Sequence, residues 1–332
     1  ADALAGERAA FEGEWTQSPL ASIDQRLWGT YRLRILDVRL TQAFYQRHIP
    51  ESGSIPAPEI EARIYELPPK WRPLIVASDD SREARHVAQM LRERGWQRVE
   101  ALRGSLNGWP GPWESGPPQR YLWEPTPVVQ RWVSRLRIGK VLELGCGSGR
   151  DAIYLAMRGH EVIAVDLLPD ALAKADALAA RMGVTIATRQ MDLRKQRPPI
   201  DDGFDAILMI RFLERSLLPW MAEALRPGGT LFFETFTREQ KDASARRDAR
   251  AQRDARAQRD ARAREDVSGP QGNRWILESQ EALRAFRCCA DNTAGAGKTK
   301  QSDGPDLHVL EYLELPDASG AHIARLVARK PC

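Results

Sequence analysis

Long apolar runs are missing from this chain. The longest, such as Ala206–Ile210, fall far short of the ~20 residues that a membrane-spanning helix needs. The first residues, Ala1-Asp2-Ala3-Leu4-Ala5-Gly6-Glu7, contain neither an initial Met nor a basic start leading into an apolar stretch, so no secretory signal is read there. Cysteine is scarce. The four cysteines in 332 residues, Cys146, Cys288, Cys289 and Cys332, form no C-x-x-C pair and no spaced framework. Reduced thiols in a cytoplasmic protein are the simplest expectation. No histidine in the second half of the chain lies on a motif, so no general base is assigned, and no metal site is assigned either. Strong net charge is lacking too. The formal charge is +4, and Lys241–Asp266 holds nine Lys/Arg against six Asp/Glu, which supplies +3 of it. The remainder is close to neutral, a poor match to the clustered basic face of a nucleic-acid binder.

What is present is strand–helix alternation, in two blocks separated by a proline-rich stretch. The length suggests two domains. In the first block, residues 22–110, Arg34–Val38 and Pro73–Ala77 are short, apolar and rich in branched residues, as buried parallel strands are. Ala84, Val87, Ala88 and Leu91 share one face of a helix that Gly95 can end. A small α/β domain is implied. Pro110–Pro127 contains six prolines, and residues 111–125 read as a stiff linker. The second block, residues 126–332, offers strands at Lys140–Leu144, Glu161–Asp166, Thr185–Arg189, Phe204–Ile210 and Thr230–Glu234, with helices between them. A closing hairpin is expected from Leu307–Leu315 and His322–Arg329 around Pro316-Asp317-Ala318-Ser319-Gly320. Residues 241–268 break the pattern as a low-complexity insertion in which Arg-Asp-Ala-Arg-Ala-Gln recurs from Arg247. A six-residue period offers no constant helical face to a core, so a solvated insertion is expected.

The most informative stretch is Val141-Leu142-Glu143-Leu144-Gly145-Cys146-Gly147-Ser148-Gly149-Arg150-Asp151. A buried strand runs into glycines, where a ligand can approach the backbone, and then into a helix whose first N–H groups face it. Asp151 is placed to cap that helix. A dinucleotide site of the G-x-G-x-x-G type needs a glycine at position 150, and that residue is Arg150. G-x-G-x-G favours a nucleoside with a compact charged tail. The next strand ends at Asp166, nineteen residues after Gly147 (166 − 147), close to the ~20 at which an acid meets ribose hydroxyls. Asp192, in Met191-Asp192-Leu193, follows at the end of the next strand, where it can hold an adenine amine.

These residues resemble the class I S-adenosylmethionine-dependent methyltransferases, in particular a branch related to tellurite-resistance and thiopurine-type enzymes. That branch shows G-C-G-S-G-R-D followed by Tyr-Leu-Ala, here Gly145–Asp151 and then Tyr154-Leu155-Ala156. Leu225-Arg226-Pro227-Gly228-Gly229-Thr230 and Glu234-Thr235-Phe236-Thr237 resemble its later motifs, and the resemblance covers about 200 residues. It implies a doubly wound Rossmann-like α/β sheet ending in an antiparallel hairpin, with S-adenosyl-L-methionine as cofactor. The implied cofactor residues are Glu143, Gly145, Cys146, Gly147, Gly149, Asp166, Leu167, Asp192, Leu193 and Ile210. The charged insertion departs from the pattern just after Glu234–Thr237, where the family keeps acceptor-side residues.

In the first block, Leu36-Asp37-Val38-Arg39, His48-Ile49-Pro50 and Leu102–Trp109 together resemble a rhodanese-like domain. An active rhodanese presents a cysteine thiolate after the strand that is Leu74–Ala77 here. This chain has Ser78-Asp79-Asp80-Ser81-Arg82-Glu83 instead, and no cysteine before Cys146. A hydroxyl cannot carry a persulfide, so an inactive domain is expected. Such a domain can still bind a protein partner.

The acceptor is less legible. The fourth strand of the second block runs into Arg211-Phe212 and lacks the Asn/Asp-Pro-Pro-Tyr/Phe run of base-amine methyltransferases. A small-molecule acceptor, such as a thiol, chalcogen oxyanion or similar soft group, is the leading expectation. Arg211 could orient an anionic acceptor, or it could form a surface pair with Glu214 one turn away. No catalytic residue is assigned. The alternatives are an RNA or protein methyltransferase tethered by the basic insertion, and a non-catalytic cofactor-binding or rhodanese-like interaction protein.

Overall fold

The computed structural model describes residues 34–237, 281–286, 307–316 and 320–331. The lead-in at 1–21, the start of the first domain at 22–33, the repeat at 241–268, the hairpin turn at 317–319 and Cys288, Cys289 and Cys332 lie outside the described residues. The chain divides into two compact units between Glu124 and Pro125.

The first unit is a four-stranded parallel sheet. Its strands are β1 (Arg34–Asp37), β2 (Gly53–Ser54), β3 (Leu74–Ala77) and β4 (Val99–Ala101), in the order β2-β1-β3-β4. Its helices are α1 (Thr41–Gln46) and α2 (Ser81–Glu93). Alternate residues of β1 and β3 face opposite sides. Leu36, Leu74 and Val76 pack with Ala84, Val87, Ala88 and Leu91 of α2, whereas Ile35, Ile75 and Ala77 pack with Ile49, Leu102 and Leu106. Asp80 caps α2 by accepting from the Arg82 N–H at 2.7 Å. Gly95 ends it at φ +93°, the left-handed conformation that glycine adopts without steric cost.

The proline-rich stretch expected as a stiff linker is strapped onto this unit. His48 and Glu114 exchange backbone hydrogen bonds at 2.8 and 2.9 Å, and the Gly116 N–H donates to the Tyr45 carbonyl. Arg34 and Arg72 both hold Glu124 at 2.8 Å. Leu122 is buried against Gly53, where a Cβ would stand 2.5 Å from Leu122 Cγ. Proline stiffens the strap, but Leu122 and Trp123 are what sequence patterning overlooked: two buried side chains in a segment too short to show a period.

The second unit is a seven-stranded sheet. In chain order its strands are β5 (Lys140–Leu144), β6 (Glu161–Asp166), β7 (Ala187–Gln190), β8 (Phe204–Ile210), β9 (Leu225–Phe236), β10 (His308–Pro316) and β11 (His322–Arg329). In space the order is β10-β11-β9-β8-β5-β6-β7. The run from β9 to β7 is parallel, and β11 and β10 are antiparallel, as the hairpin pattern implies. Among the described residues its helices are α3 (Pro127–Trp132), α4 (Arg150–Ala156), α5 (Pro169–Arg181), α6 (Leu218–Ala224) and α7 (Glu281–Ala285). Leu142, Leu144, Ile207, Met209 and Phe233 point to the face covered by α6 and α7. Val141, Val162, Ala206, Leu208 and Phe232 point to the face covered by α3, α4 and α5. Chain order reverses on either side of β5, which opens a crevice at the carboxyl ends of the strands.

Replacing Leu122 by Ala should cost the first unit about 2–5 kcal/mol, as for other buried leucines. Amide hydrogen exchange of β1 and β3 in the full chain measures this. A free spacer would leave their exchange unchanged.

Candidate cofactor and acceptor site

The crevice is built on the exit of β5. The chain leaves Leu144 through Gly145 and Cys146, whose N–H groups both donate to the Val165 carbonyl of β6, at 2.8 and 2.9 Å. The Gly147 N–H then donates to Asp166 Oδ2 at 2.8 Å, and the Leu168 N–H to Oδ1 at 3.0 Å. Three backbone donors of the turn thus clip it to the end of β6, and the Gly147 and Leu168 N–H groups fix the Asp166 carboxylate. A carboxylate oxygen has room for a second donor, so Asp166, half-buried, can still take hydroxyls from outside.

The glycines divide by role. A Cβ on Gly149 (φ +74°) would lie 2.7 Å from the Ala175 Cβ of α5, and one on Gly145 would lie 2.8 Å from the Phe212 ring. Both are needed for packing. A Cβ on Gly147 (φ +55°) would meet nothing within 4 Å and would project into open space. That is the side from which a ligand can reach the backbone.

Two carboxyl groups lie buried beneath the turn. Glu143 on β5 is 4% exposed, and its Oε2 has no hydrogen-bond partner among the described residues. Burial, with the Asp151 carboxyl nearby, pushes the Glu143 carboxyl well above the usual range, against the pull of the Ala152 N–H. Asp151 is corrected from the expected cap. The N-cap of α4 is Gly149, and the Asp151 carboxylate reaches back to accept from the Thr126 N–H and Oγ1, both at 2.6 Å. It therefore anchors the start of α3. Burial raises its pKa, partly offset by those two donors. Burial also pushes the Cys146 thiol up, with Glu143 adding to it, so this cysteine is a protonated space-filler and no nucleophile.

The remaining sites suggested by the sequence are arranged around this turn. Leu167, beside Asp166, is 42% exposed, whereas Leu193 and Ile210 are buried. Asp192 lies just past the end of β7 and grips Arg194 through both oxygens at 2.7 and 2.8 Å, which holds its carboxyl down at about 2.

On the acceptor side, the Arg211 Nε donates to Glu234 Oε1 at 2.9 Å, and its guanidinium lies 4.9 Å from the centre of the Phe236 ring. Glu214 accepts from the Ser216 N–H and hydroxyl and caps the turn before α6. Glu234 and Thr235 are buried. Glu234 is shared between Arg211 and Arg325 of β11, which approaches at 2.6–2.7 Å. Sequence reading missed Arg325. Its signal was a lone cation inside the apolar run Ile323–Val327, aimed at the core by the two-residue period.

Residues 141–229 match the family model of a methyltransferase domain, and residues 20–111 match that of a rhodanese-like domain. The methyltransferase match lies wholly within the second unit, from β5 into β9. The chain is 27% identical over 263 residues to an uncharacterised protein of Schizosaccharomyces pombe, covering 62% of this chain and 78% of that one. It is 32% identical over 151 residues to the ubiquinone biosynthesis O-methyltransferase of Xylella fastidiosa, and there it spans 59% of the relative's length and 42% of its own. Among solved structures it is similar to TehB of Haemophilus influenzae (TM-score 0.41, 19% identity, 61% of each chain). It is also similar to the N-methyltransferase NodS of Bradyrhizobium japonicum in complex with S-adenosyl-L-homocysteine (TM-score 0.40, 18% identity, 62% of this chain and 85% of that one).

The Glu143 carboxyl makes a signed prediction. A carboxyl with a raised folded-state pKa favours the fold below its unfolded pKa of about 4.3, and this contribution is lost as pH rises through the folded value. Glu143→Gln should therefore raise the unfolding midpoint of the ligand-free protein at pH 7. The gain should shrink below about pH 4, where wild-type Glu143 is protonated in both states. A pH series of thermal melts reads both.

Proposed function

We propose that the second unit binds S-adenosyl-L-methionine across the β5 exit turn and transfers its methyl group to a small-molecule acceptor. The observation that carries this is the pairing of Asp166, fixed by the N–H groups of Gly147 and Leu168, with the buried, half-satisfied carboxyl of Glu143. These groups fit the cofactor. Asp166 would accept from the ribose hydroxyls, and Glu143 would meet the ammonium of the methionine tail, a cation able to return it to its charged form. Asp192 would accept from the adenine amine, with Leu167, Leu193 and Ile210 against the ring. Gly147 keeps the approach to the backbone open, and Gly145, Cys146 and Gly149 hold the turn. When bound, the sulfonium supplies an activated methyl for in-line displacement. The chain's part is then to align the acceptor and exclude water. The Gly145–Asp151 and Glu234–Thr237 runs support a place in the tellurite-resistance and thiopurine-type branch.

The first unit, on this reading, is rhodanese-like without sulfur transfer. Ser78 stands after β3, 2% exposed, donating to Glu83 Oε2 at 2.7 Å and accepting from the Asp80 N–H. Asp79 and Asp80 stand beside it, so the position has neither a sulfur nucleophile nor a field that welcomes an anionic donor.

Titration calorimetry with S-adenosylhomocysteine tests the cofactor reading. Asp166→Ala should weaken binding at least ~10-fold, which is about 1.4 kcal/mol. Gly147→Ala should also weaken it while changing unfolding free energy by no more than ~1–2 kcal/mol, the cost of a left-handed alanine. No binding by the wild type, or unchanged binding by Asp166→Ala, overturns the reading. A thiosulfate:cyanide assay should give no turnover by the first unit, and any turnover contradicts its inactivity.

A further inference from the structure

Three carboxyl groups, Glu143, Asp151 and Asp166, are gathered around the β5 exit turn, and their hydrogen-bond donors are unevenly shared. Asp166 accepts from two N–H groups, those of Gly147 and Leu168. Asp151 accepts from the N–H and the hydroxyl of Thr126, both at 2.6 Å, with one donor on each oxygen. Glu143 has a single donor, the Ala152 N–H. Its Oε2 is buried and has no partner among the described residues.

The charged groups that face Glu143 are Arg150 and Asp151 of α4 and Asp166 of β6. The Cys146 thiol of the turn is buried as well and stays protonated. Two carboxyls against one guanidinium give Glu143 a mostly negative surrounding, in a place with little water to screen it. The carboxyl with the fewest donors loses least by holding a proton, so the proton that this cluster keeps sits on Glu143. That proton removes the charge but completes no hydrogen bond at Oε2. A cation bearing N–H groups would supply both a positive charge and donors, and would make the proton unnecessary. Gly147, open to the outside, lies in the turn directly above.

We infer that a proton and the cofactor's ammonium compete for Glu143, so that cofactor binding expels one proton from beneath the turn and tightens as pH rises. The exchange balances in one step. The Glu143 O–H bond breaks, the proton passes to the buffer, and the electron pair stays on the oxygen, which accepts from an N–H of the ammonium. S-adenosyl-L-homocysteine carries the same tail, so departure of the product returns a proton to Glu143. Because burial holds the ligand-free carboxyl well above the usual range, the exchange operates at higher pH than it would for an exposed carboxyl. Above that raised value Glu143 is already ionised and no proton leaves. Below it the affinity falls by up to about tenfold per pH unit. The inference rests on the cofactor reading for the cation that meets Glu143.

Titration calorimetry of the full chain with S-adenosylhomocysteine, in buffers of different ionisation enthalpy, counts the protons released. The wild-type count should approach about one near pH 6 and decline as pH rises. Its dissociation constant should weaken at least ~10-fold from about pH 8 to about pH 5.5. Glu143→Gln has no proton to lose and should release none. Its dissociation constant should stay within about twofold over that range and exceed the wild-type value at the upper end. The wild type alone gives a second readout, the infrared band of a protonated carboxyl, which should be present without ligand and disappear on binding. Binding without proton release, a release of equal size in Glu143→Gln, or a band that the ligand leaves unchanged overturns the inference and leaves the cofactor reading standing. No binding by the wild type at any pH overturns both.

Discussion

The Val165 carbonyl, accepting from both Gly145 and Cys146, is the contact on which the second unit's chemistry depends. It ties the exit of the central strand to the end of its neighbour, where chain order reverses and a crevice must open. Once the turn is held there, the Gly147 N–H can reach Asp166 and Gly149 can pack against α5. Gly147 is left facing open space. The ligand-facing surface is therefore mostly backbone, and the sequence pays for that with three left-handed glycines in five residues.

Burial sets the electrostatics of the crevice. Glu143 and Asp151 are both buried beneath the turn, so each resists ionisation, and Asp151 adds to the cost of charging Glu143. Their partners differ. Asp151 is satisfied by Thr126 and serves to fix the start of α3, whereas Glu143 is left with an empty oxygen beside the turn. Glu234 is the opposite case, a buried carboxylate paired with two arginines. Removing one partner of such a group is expensive, commonly about 3–5 kcal/mol, because the buried charge that remains is uncompensated. The site thus places an acid that a cation can charge at one end and an already paired carboxylate at the other.

The two units show how differently fold and chemistry are written in sequence. The seven strands of the second unit and two of the four in the first, β1 and β3, were visible as short apolar runs, and α2 as a stripe ended by Gly95; β2 and β4, two and three residues long, were not. The structure returns them with boundaries shifted by one or two residues at most, apart from β9, which begins five residues earlier than the apolar pattern suggested. Composition showed the proline-rich stretch as a stiff linker, while its attachment to the first unit depends on two buried side chains and one strand-like bridge to His48. Asp151 was misjudged for a related reason: a carboxyl in the first turn of a helix ordinarily caps that helix, and only the placement of Thr126 shows a nearer pair of donors.

The sequence by itself determined the glycine turn, the acid nineteen residues beyond Gly147 and the absence of a thiol in the first 145 residues. Each of these depends on residue type and on spacing along one or two adjacent elements, which linear order preserves. Only the tertiary structure decided the joining of Arg211, Glu234 and Arg325, residues as far as 114 positions apart (325 − 211). They meet because β9 pairs with β8 on one side and with the antiparallel β11 on the other, and strand register between distant segments is set by the packing of the whole sheet.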